Sequence, residues 1–208
     1  MVKLAEKDLT AVVGSDCKMH WQSNGEYLAV NTYGGFEFFR IKEEEGTPTD
    51  FLKVDKEILA FAWEPSGHRF AVIYDEPNLL SAVSFYSMKK PGKVTELTSL
   101  SNKQADALFW SPKGNLIVLA GLKAGKLEFY DVDRLVAISS VETVNANKVV
   151  WNPSGSYIAT VSTMPEEDYN RHCDCEQNDP LNGFNIWSSQ GKLLCKHQFD
   201  SPLLQPAV

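Results

Sequence analysis

Cysteine is scarce in this 208-residue sequence, with only Cys17, Cys173, Cys175 and Cys195. Four residues so unevenly placed do not make the disulfide framework of a small secreted domain, so a reducing, cytoplasmic setting is expected. No positively charged segment followed by an apolar stretch and a small-residue cleavage site opens the sequence. No run approaches the ~18 consecutive apolar residues of a membrane span, and no membrane partner is expected. Positive charge is also short: 20 Lys and Arg stand against 27 Asp and Glu, for a net charge of -7. Affinity for phosphates accumulates with Lys and Arg, so binding to nucleic acid across a whole face is excluded and any RNA contact must be local.

Catalytic signatures are missing as well. There is no Gly-x-Ser-x-Gly elbow, no His-Glu-x-x-His pair and no phosphate-cradling Gly-x-x-x-x-Gly-Lys loop. With four scattered histidines and no alternation of helix-period and strand-period segments, no acid–base set is in view. The expectation is a protein that is not an enzyme, with no catalytic residue, no cofactor and no small-molecule substrate. His172, Cys173 and Cys175 put three soft ligands within four residues. Structural zinc sites space their pairs as Cys-x(2–4)-Cys and need four partners, so no metal is expected and the segment reads as a solvated acidic loop.

What the sequence does contain is one phrase four times: Trp21-Gln-Ser-Asn-Gly25, Trp63-Glu-Pro-Ser-Gly67, Trp110-Ser-Pro-Lys-Gly114 and Trp151-Asn-Pro-Ser-Gly155. The tryptophans recur after 42, 47 and 41 residues, close to the roughly 40–45 residues of a four-stranded propeller blade. Each phrase reads as a strand ending in Trp and then a turn closed by Gly; in the last three Pro presets φ, whereas in the first no Pro is present and Asn24 precedes Gly25. An unbroken apolar strand follows, Tyr27–Val30, Phe70–Ile73, Leu116–Ala120 or Tyr157–Val161, as in strands covered on both faces. A third, aromatic-rich strand comes next, Phe36–Phe39, Val83–Tyr86, Leu127–Tyr130 or Phe184–Trp187, and then a more polar fourth such as Val94–Leu97 or Leu193–Lys196.

These observations predict an all-β, WD40-like β-propeller, a partial ring of about four four-stranded blades. The expected divisions are the end of a preceding blade at 1–13, blades at 14–55, 56–101, 102–144 and 145–199, the last carrying an insertion at 164–183, and the start of a following blade at 200–208. Both ends would be open sheet edges, which folded proteins cover, so a larger ring is favoured over a self-closed four-bladed unit. The four phrase tryptophans and Trp187 are expected to fill the core, and His20 to pack locally. The Trp-Asp dipeptide that closes the third strand in common propeller families is absent. Its place holds Phe39-Arg40, Tyr86-Ser87, Tyr130-Asp131 and Trp187-Ser188, which disfavours an ordinary member of that class.

In order along the chain, Cys17–Leu28, Ala60–Gly67, Phe109–Gly114 with Val118–Leu122, and Trp187–Leu193 resemble the later blades of the b-subunit family of eukaryotic translation initiation factor three. The resemblance implies a place in a nine-bladed propeller that acts as a non-catalytic scaffold, binding the small ribosomal subunit, through its rRNA and proteins, and subunits a, g and i. Its implied role lies in mRNA recruitment, scanning and start-codon selection. The monomeric initiation factor two A, which is similar in its propeller and its turns, is the alternative within the same class. An unrelated WD40-like interaction scaffold and a peptidase-associated propeller are the alternatives outside it.

Antiparallel strands put the turns between strands one and two and between strands three and four at one end of each blade. Arg69, Lys89, Lys90, Lys93, Lys113, Arg134 and Lys192 fall at such ends, whereas Glu166–Asp168, Asp174, Glu176 and Asp179 belong to the opposite one. Lys89, Lys90, Lys93 and Lys113 are the candidate ribosome and RNA contacts, since only local lysines can draw phosphate to so acidic a protein.

Overall fold

A computed structural model of the chain describes residues 18–41, 49–78, 80–90, 92–143, 146–163 and 183–199. The expected partial blades at the two ends, most of the 164–183 insertion with its His172–Cys175 run, and the acidic residues Glu166–Asp179 lie outside the described residues.

Among the described residues every regular element is a strand, and the sixteen strands form four antiparallel sheets of four. The first sheet is β1 (Met19–Trp21), β2 (Tyr27–Thr32), β3 (Gly35–Arg40) and β4 (Asp50–Lys53). The second is β5 (Ile58–Trp63), β6 (Arg69–Glu76), β7 (Leu80–Ser87) and β8 (Thr95–Lys103). The third is β9 (Ala107–Trp110), β10 (Leu116–Gly121), β11 (Lys126–Asp131) and β12 (Val136–Glu142). The fourth is β13 (Lys148–Trp151), β14 (Tyr157–Ser162), β15 (Gly183–Ser188) and β16 (Leu193–Gln198). Each sheet is a meander in chain order, so the fold is an all-β, WD40-like propeller of four four-stranded blades. β8 runs past the expected Val94–Leu97 to Lys103, kept in step with β7 by register shifts.

The repeat extends into the ladders. In the second, third and fourth sheets the register between strands three and four shifts at Phe85/Tyr86, Phe129/Tyr130 and Ile186/Trp187, at the aromatic that ends the third-strand motif, and the second sheet shifts once more at Ser81/Val83. One extra residue there bends the outer strand away and tightens its twist.

Contacts divide the chain into two compact units, Met1–Trp110 and Ser111–Val208. In the first, an aromatic stack forms the core: Phe36 lies 4.8 Å from Phe61, Phe61 5.2 Å from Phe70, and Phe70 5.0 Å from Tyr86. Offset rings at these spacings gain more than their buried area alone. The Tyr74 and Tyr86 hydroxyls meet at 2.6 Å; burial, then this bond, pushes the Tyr74 phenol far above its ordinary value. In the second unit the core comes from β10, β11 and β14, with Ile117, Leu127 and Ile158 fully enclosed. There the Trp187 indole donates to Thr160 Oγ1 at 3.0 Å.

Trp63, Trp110 and Trp187 are buried as expected, at 8%, 8% and 5% exposure, and Trp151 is half-buried. Trp21 departs from the expectation, being 56% exposed. Trp63 and Trp110 each lie against the sheet before their own, and no described residue covers Trp21 in that way. His20 packs across to the next sheet and not only locally, its ring 4.6 Å from Phe61 on β5 and 6.2 Å from Phe36 of its own sheet.

Candidate nucleic-acid interface

The end of the blades that carries the lysines is built from capped turns. In the second, third and fourth sheets the residue after the phrase tryptophan accepts the N–H that opens the next strand. Glu64 Oε2 takes it from Arg69 at 3.1 Å, Ser111 Oγ from Leu116 at 3.2 Å, and Asn152 Oδ1 from Tyr157 at 2.9 Å. The turn between strands three and four is capped in the same style. Ser87 Oγ accepts from Lys89 N at 3.1 Å, Asp131 Oδ1 from Asp133 and Arg134 N at 3.0 and 2.9 Å, and Ser188 Oγ from Gln190 and Lys192 N at 3.3 and 3.1 Å. The position where common propellers carry Asp is therefore still a hydrogen-bond acceptor in three of the four blades.

Three of the four candidate lysines share one hairpin, the β7–β8 connection from Met88 to Val94. Lys89, Lys90 and Lys93 are exposed there, and none is ion-paired with another described residue. The hairpin is held from both sides. Lys93 N donates to Lys90 O at 3.1 Å, Gly92 N to Tyr27 Oη at 3.3 Å, and Val94 N to Asp50 Oδ2 at 2.6 Å. Backbone ties of this kind reduce the entropic cost of ordering the loop around a partner. Lys113 sits in the second unit, exposed in the β9–β10 turn at the equivalent end of its own sheet.

Two cations expected at the same ends are already engaged. Arg69 grips Glu64 in a fork, Nε to Oε2 at 3.0 Å and NH2 to Oε1 at 2.7 Å, with both side chains largely buried. Arg134 Nε lies 3.8 Å from Asp131 Oδ2. The Arg69 charge is neutralised in place by its largely buried partner, whereas Arg134 remains 81% exposed.

Gln22, the residue after the first phrase tryptophan, breaks the capping rule. Its side chain reaches the neighbouring turn instead, Nε2 donating to Gly67 O at 2.7 Å. In its stead Asn24 Oδ1 caps the turn by accepting from Glu26 N at 2.9 Å. Gln22 lines a cleft of about 270 Å³ with Asn24, Tyr27, Ser66, His68 and Lys89. Glu26, also on its wall, is held by Arg40 at 3.0 Å. This cleft was not expected from the sequence, though a signal existed: the residue after each tryptophan is polar in all four copies, and only in the first is it a long amide.

The family described as "Eukaryotic translation initiation factor eIF2A" matches residues 11–205. The chain is 47% identical over 212 residues to the B subunit of eukaryotic translation initiation factor 3 from Arabidopsis thaliana, covering 93% of this chain and 27% of that protein. Its counterpart from Nicotiana tabacum is 43% identical over 92% of this chain and 27% of its own length, and that from Xenopus laevis 37% identical over 89% and 27%. The chain thus spans about a quarter of the length of these relatives. A crystal structure of a eukaryotic initiation factor superposes with a TM-score of 0.68 at 18% identity, covering 90% of this chain and 43% of that one. The crystal structure of a mitotic checkpoint complex gives 0.59 at 15% identity, covering 89% and 55%; at such identities the likeness is one of fold alone. The chain belongs to the eukaryotic translation initiation factor family that the eIF2A description defines, and the resemblance of its blades to the B subunit of initiation factor 3 holds over about nine-tenths of its length.

Proposed function

We propose that this chain is part of a non-catalytic, cytoplasmic scaffold subunit of initiation factor 3, and that its blades help the complex engage the small ribosomal subunit. The observation that carries the reading is the pinned hairpin presenting Lys89, Lys90 and Lys93 without an ion pair to any described residue. In a chain of net charge -7, such a cluster is where rRNA phosphates gain most, because the rest of the surface repels them. Lys113, exposed in the β9–β10 turn of the second unit, is proposed as a phosphate contact in its own right. Subunits a, g and i of the same factor are the protein partners of this reading, and recruitment of mRNA, scanning and start-codon selection are the steps it serves.

The test is co-sedimentation of the full-length protein with purified small ribosomal subunits, with and without subunits a, g and i. The reading requires binding that those subunits strengthen. A second reading, a monomeric factor of the two A type, draws on the family description matched by residues 11–205. It requires that the protein bind the ribosomal subunit equally well alone and fail to co-purify with a, g or i.

A further inference from the structure

Leu135, Val136, Ala137 and Ile138 follow one another from the β11–β12 hairpin into β12, and all four are exposed. Soluble folds avoid such a run on their surface unless something covers it. β12 is also the edge of its sheet, so alternate residues turn an N–H and a C=O away from β11. The other outer strands of comparable length differ: β8 keeps Leu97 and Leu100 apart, and β16 follows Leu193 and Leu194 with Lys196, His197 and Gln198. The first residue of the run is held in the left-handed region. Leu135 has a φ of 58°, whereas Gly92 and Gly191, at 70° and 82°, take the positive-φ place in the corresponding hairpins of the second and fourth sheets. A Cβ disfavours that conformation, and leucine has no short polar side chain to bond locally in compensation. Strain kept where glycine would relax it points to a use for the exposed side chain. Just past the run Ser139 Oγ donates to Gln190 O at 2.7 Å, which ties the edge to the β15–β16 turn.

We infer that this edge seats an extended, basic and apolar segment of a partner protein, which adds a fifth strand beside β12 and covers Leu135, Val136 and Ile138. Strand addition draws its affinity from the backbone groups of the edge and its selectivity from the side chains along it. Charge decides the class of partner. From Lys126 to Glu142 the carboxylates of Glu128, Asp131, Asp133 and Glu142 outnumber the two cations, Lys126 and Arg134. An apolar edge set among carboxylates repels phosphate and suits a segment with Lys or Arg beside its apolar residues. A second copy of the chain is the poorer occupant, since four residues on one edge fall far short of the roughly 1,200–2,000 Å² that a stable interface buries. A segment held close by other contacts in an assembly needs no such area. The inference goes beyond the ribosomal reading and makes no use of the lysines.

The experiment follows amide hydrogen exchange along β12 in the full-length protein, alone and mixed with purified subunits a, g and i and small ribosomal subunits. A photo-crosslinking residue in place of Ala137 captures whatever lies on the edge. The β12 amides should exchange more slowly in the mixture, and the crosslink should map to one protein segment with Lys or Arg beside apolar residues. A synthetic peptide of that segment should bind the full-length protein. Val136→Lys combined with Ile138→Lys should weaken it about ten-fold or more, the worth of at least one buried aliphatic side chain. Lysine on an edge strand blocks pairing without disturbing the sheet behind it. Leu135→Gly should melt at a higher temperature yet bind the peptide more weakly, a combination that a purely structural leucine would not give. Exchange in β12 that is equally fast with and without the other components overturns the inference. So does a crosslink to rRNA or to a second copy of the chain, or a double variant that binds the peptide like the unmodified protein. Co-sedimentation from the same mixtures reports on the ribosomal reading separately.

Discussion

The indole Nε1 of Trp63 donates to the carbonyl oxygen of His20 at 2.8 Å, and Trp110 repeats the bond one blade later, to Ala62 at 3.2 Å. His20 and Ala62 each stand immediately before the tryptophan of the preceding repeat. One phrase therefore does two jobs: its tryptophan wedges against the blade before it, and the carbonyl just ahead of that tryptophan receives the indole of the blade after.

Trp110→Ala should cost on the order of 3–5 kcal/mol, since it empties a buried wedge and strands the Ala62 carbonyl. Trp110→Phe keeps most of the packing and should cost less than half as much. At Trp21, 56% exposed, the Ala substitution should cost about 1 kcal/mol or less. Urea midpoints of the three variants check this order, and a Trp21→Ala loss matching that of Trp110→Ala would refute it.

Glu64 and Arg69 form a largely enclosed ion pair, at 7% and 16% side-chain exposure. Removing either partner leaves a buried charge unanswered, so Glu64→Ala should destabilise by about 3 kcal/mol, and the double change to alanine by less than the sum of the singles. Gly67→Ala should act on the same pair, because a Cβ there would overlap the Glu64 carboxylate. Additive losses in the double-mutant cycle would show that the pair is not coupled.

His20 is held below its ordinary value of 6.5, first by burial and then by the charge of Lys18. Between its folded and unfolded values the unfolded chain binds more protons, so this contribution to stability is complete above the unfolded value. It is lost as pH falls from about 6.5 toward the folded one. His20→Phe removes the titration while keeping a ring against Phe61. The stability difference between wild type and His20→Phe should therefore shift against the wild type as pH is lowered from about 7.5 to about 5.5. A difference that stays constant over that range would show that His20 does not carry the effect.

Much of the fold was legible because the repeat is carried by residues with one local meaning each. Trp and Gly at fixed offsets, with Pro in three copies, mark the end of strand one and its turn, and the short apolar run after them reads as an inner strand; that strand is enclosed on both faces in the first three sheets but not in the fourth, where Tyr157 is exposed. The bulges opposite Tyr86, Tyr130 and Trp187 were not legible, since an outer-strand register depends on pairing rather than on composition. Gly67 shows a different limit. Gly25, Gly114 and Gly155 serve their turns with positive φ, near 70–78°, whereas Gly67 is needed because Glu64 folds back over it. Sequence spacing marks both kinds alike.

For the site, the three hairpin lysines could be read directly, because charge at a turn tip does not depend on tertiary contacts. Arg69 and Arg134 look equivalent to them in the sequence. Only the structure shows that Arg69 is held in the largely buried Glu64 fork and that Arg134, itself exposed, lies 3.8 Å from Asp131. The Gln22 cleft needed two blades to be side by side, since Gly67 lies 45 residues away in sequence.

The central claim is that the small ribosomal subunit is met through the lysine-bearing turns, and a salt series on binding tests it most directly. Full-length protein with Lys89, Lys90, Lys93 and Lys113 all changed to Glu is compared with the unmodified protein in co-sedimentation with small ribosomal subunits. A second variant carries the same change at Lys123 and Lys126, at the other end of the third sheet. Weaker binding is predicted for the first variant only, with a salt slope shallower by about 0.7–0.9 for each phosphate no longer engaged. Unchanged affinity and slope in the first variant, with weakened binding in the second, would move the ribosomal interface to the opposite end of the blades and contradict the claim.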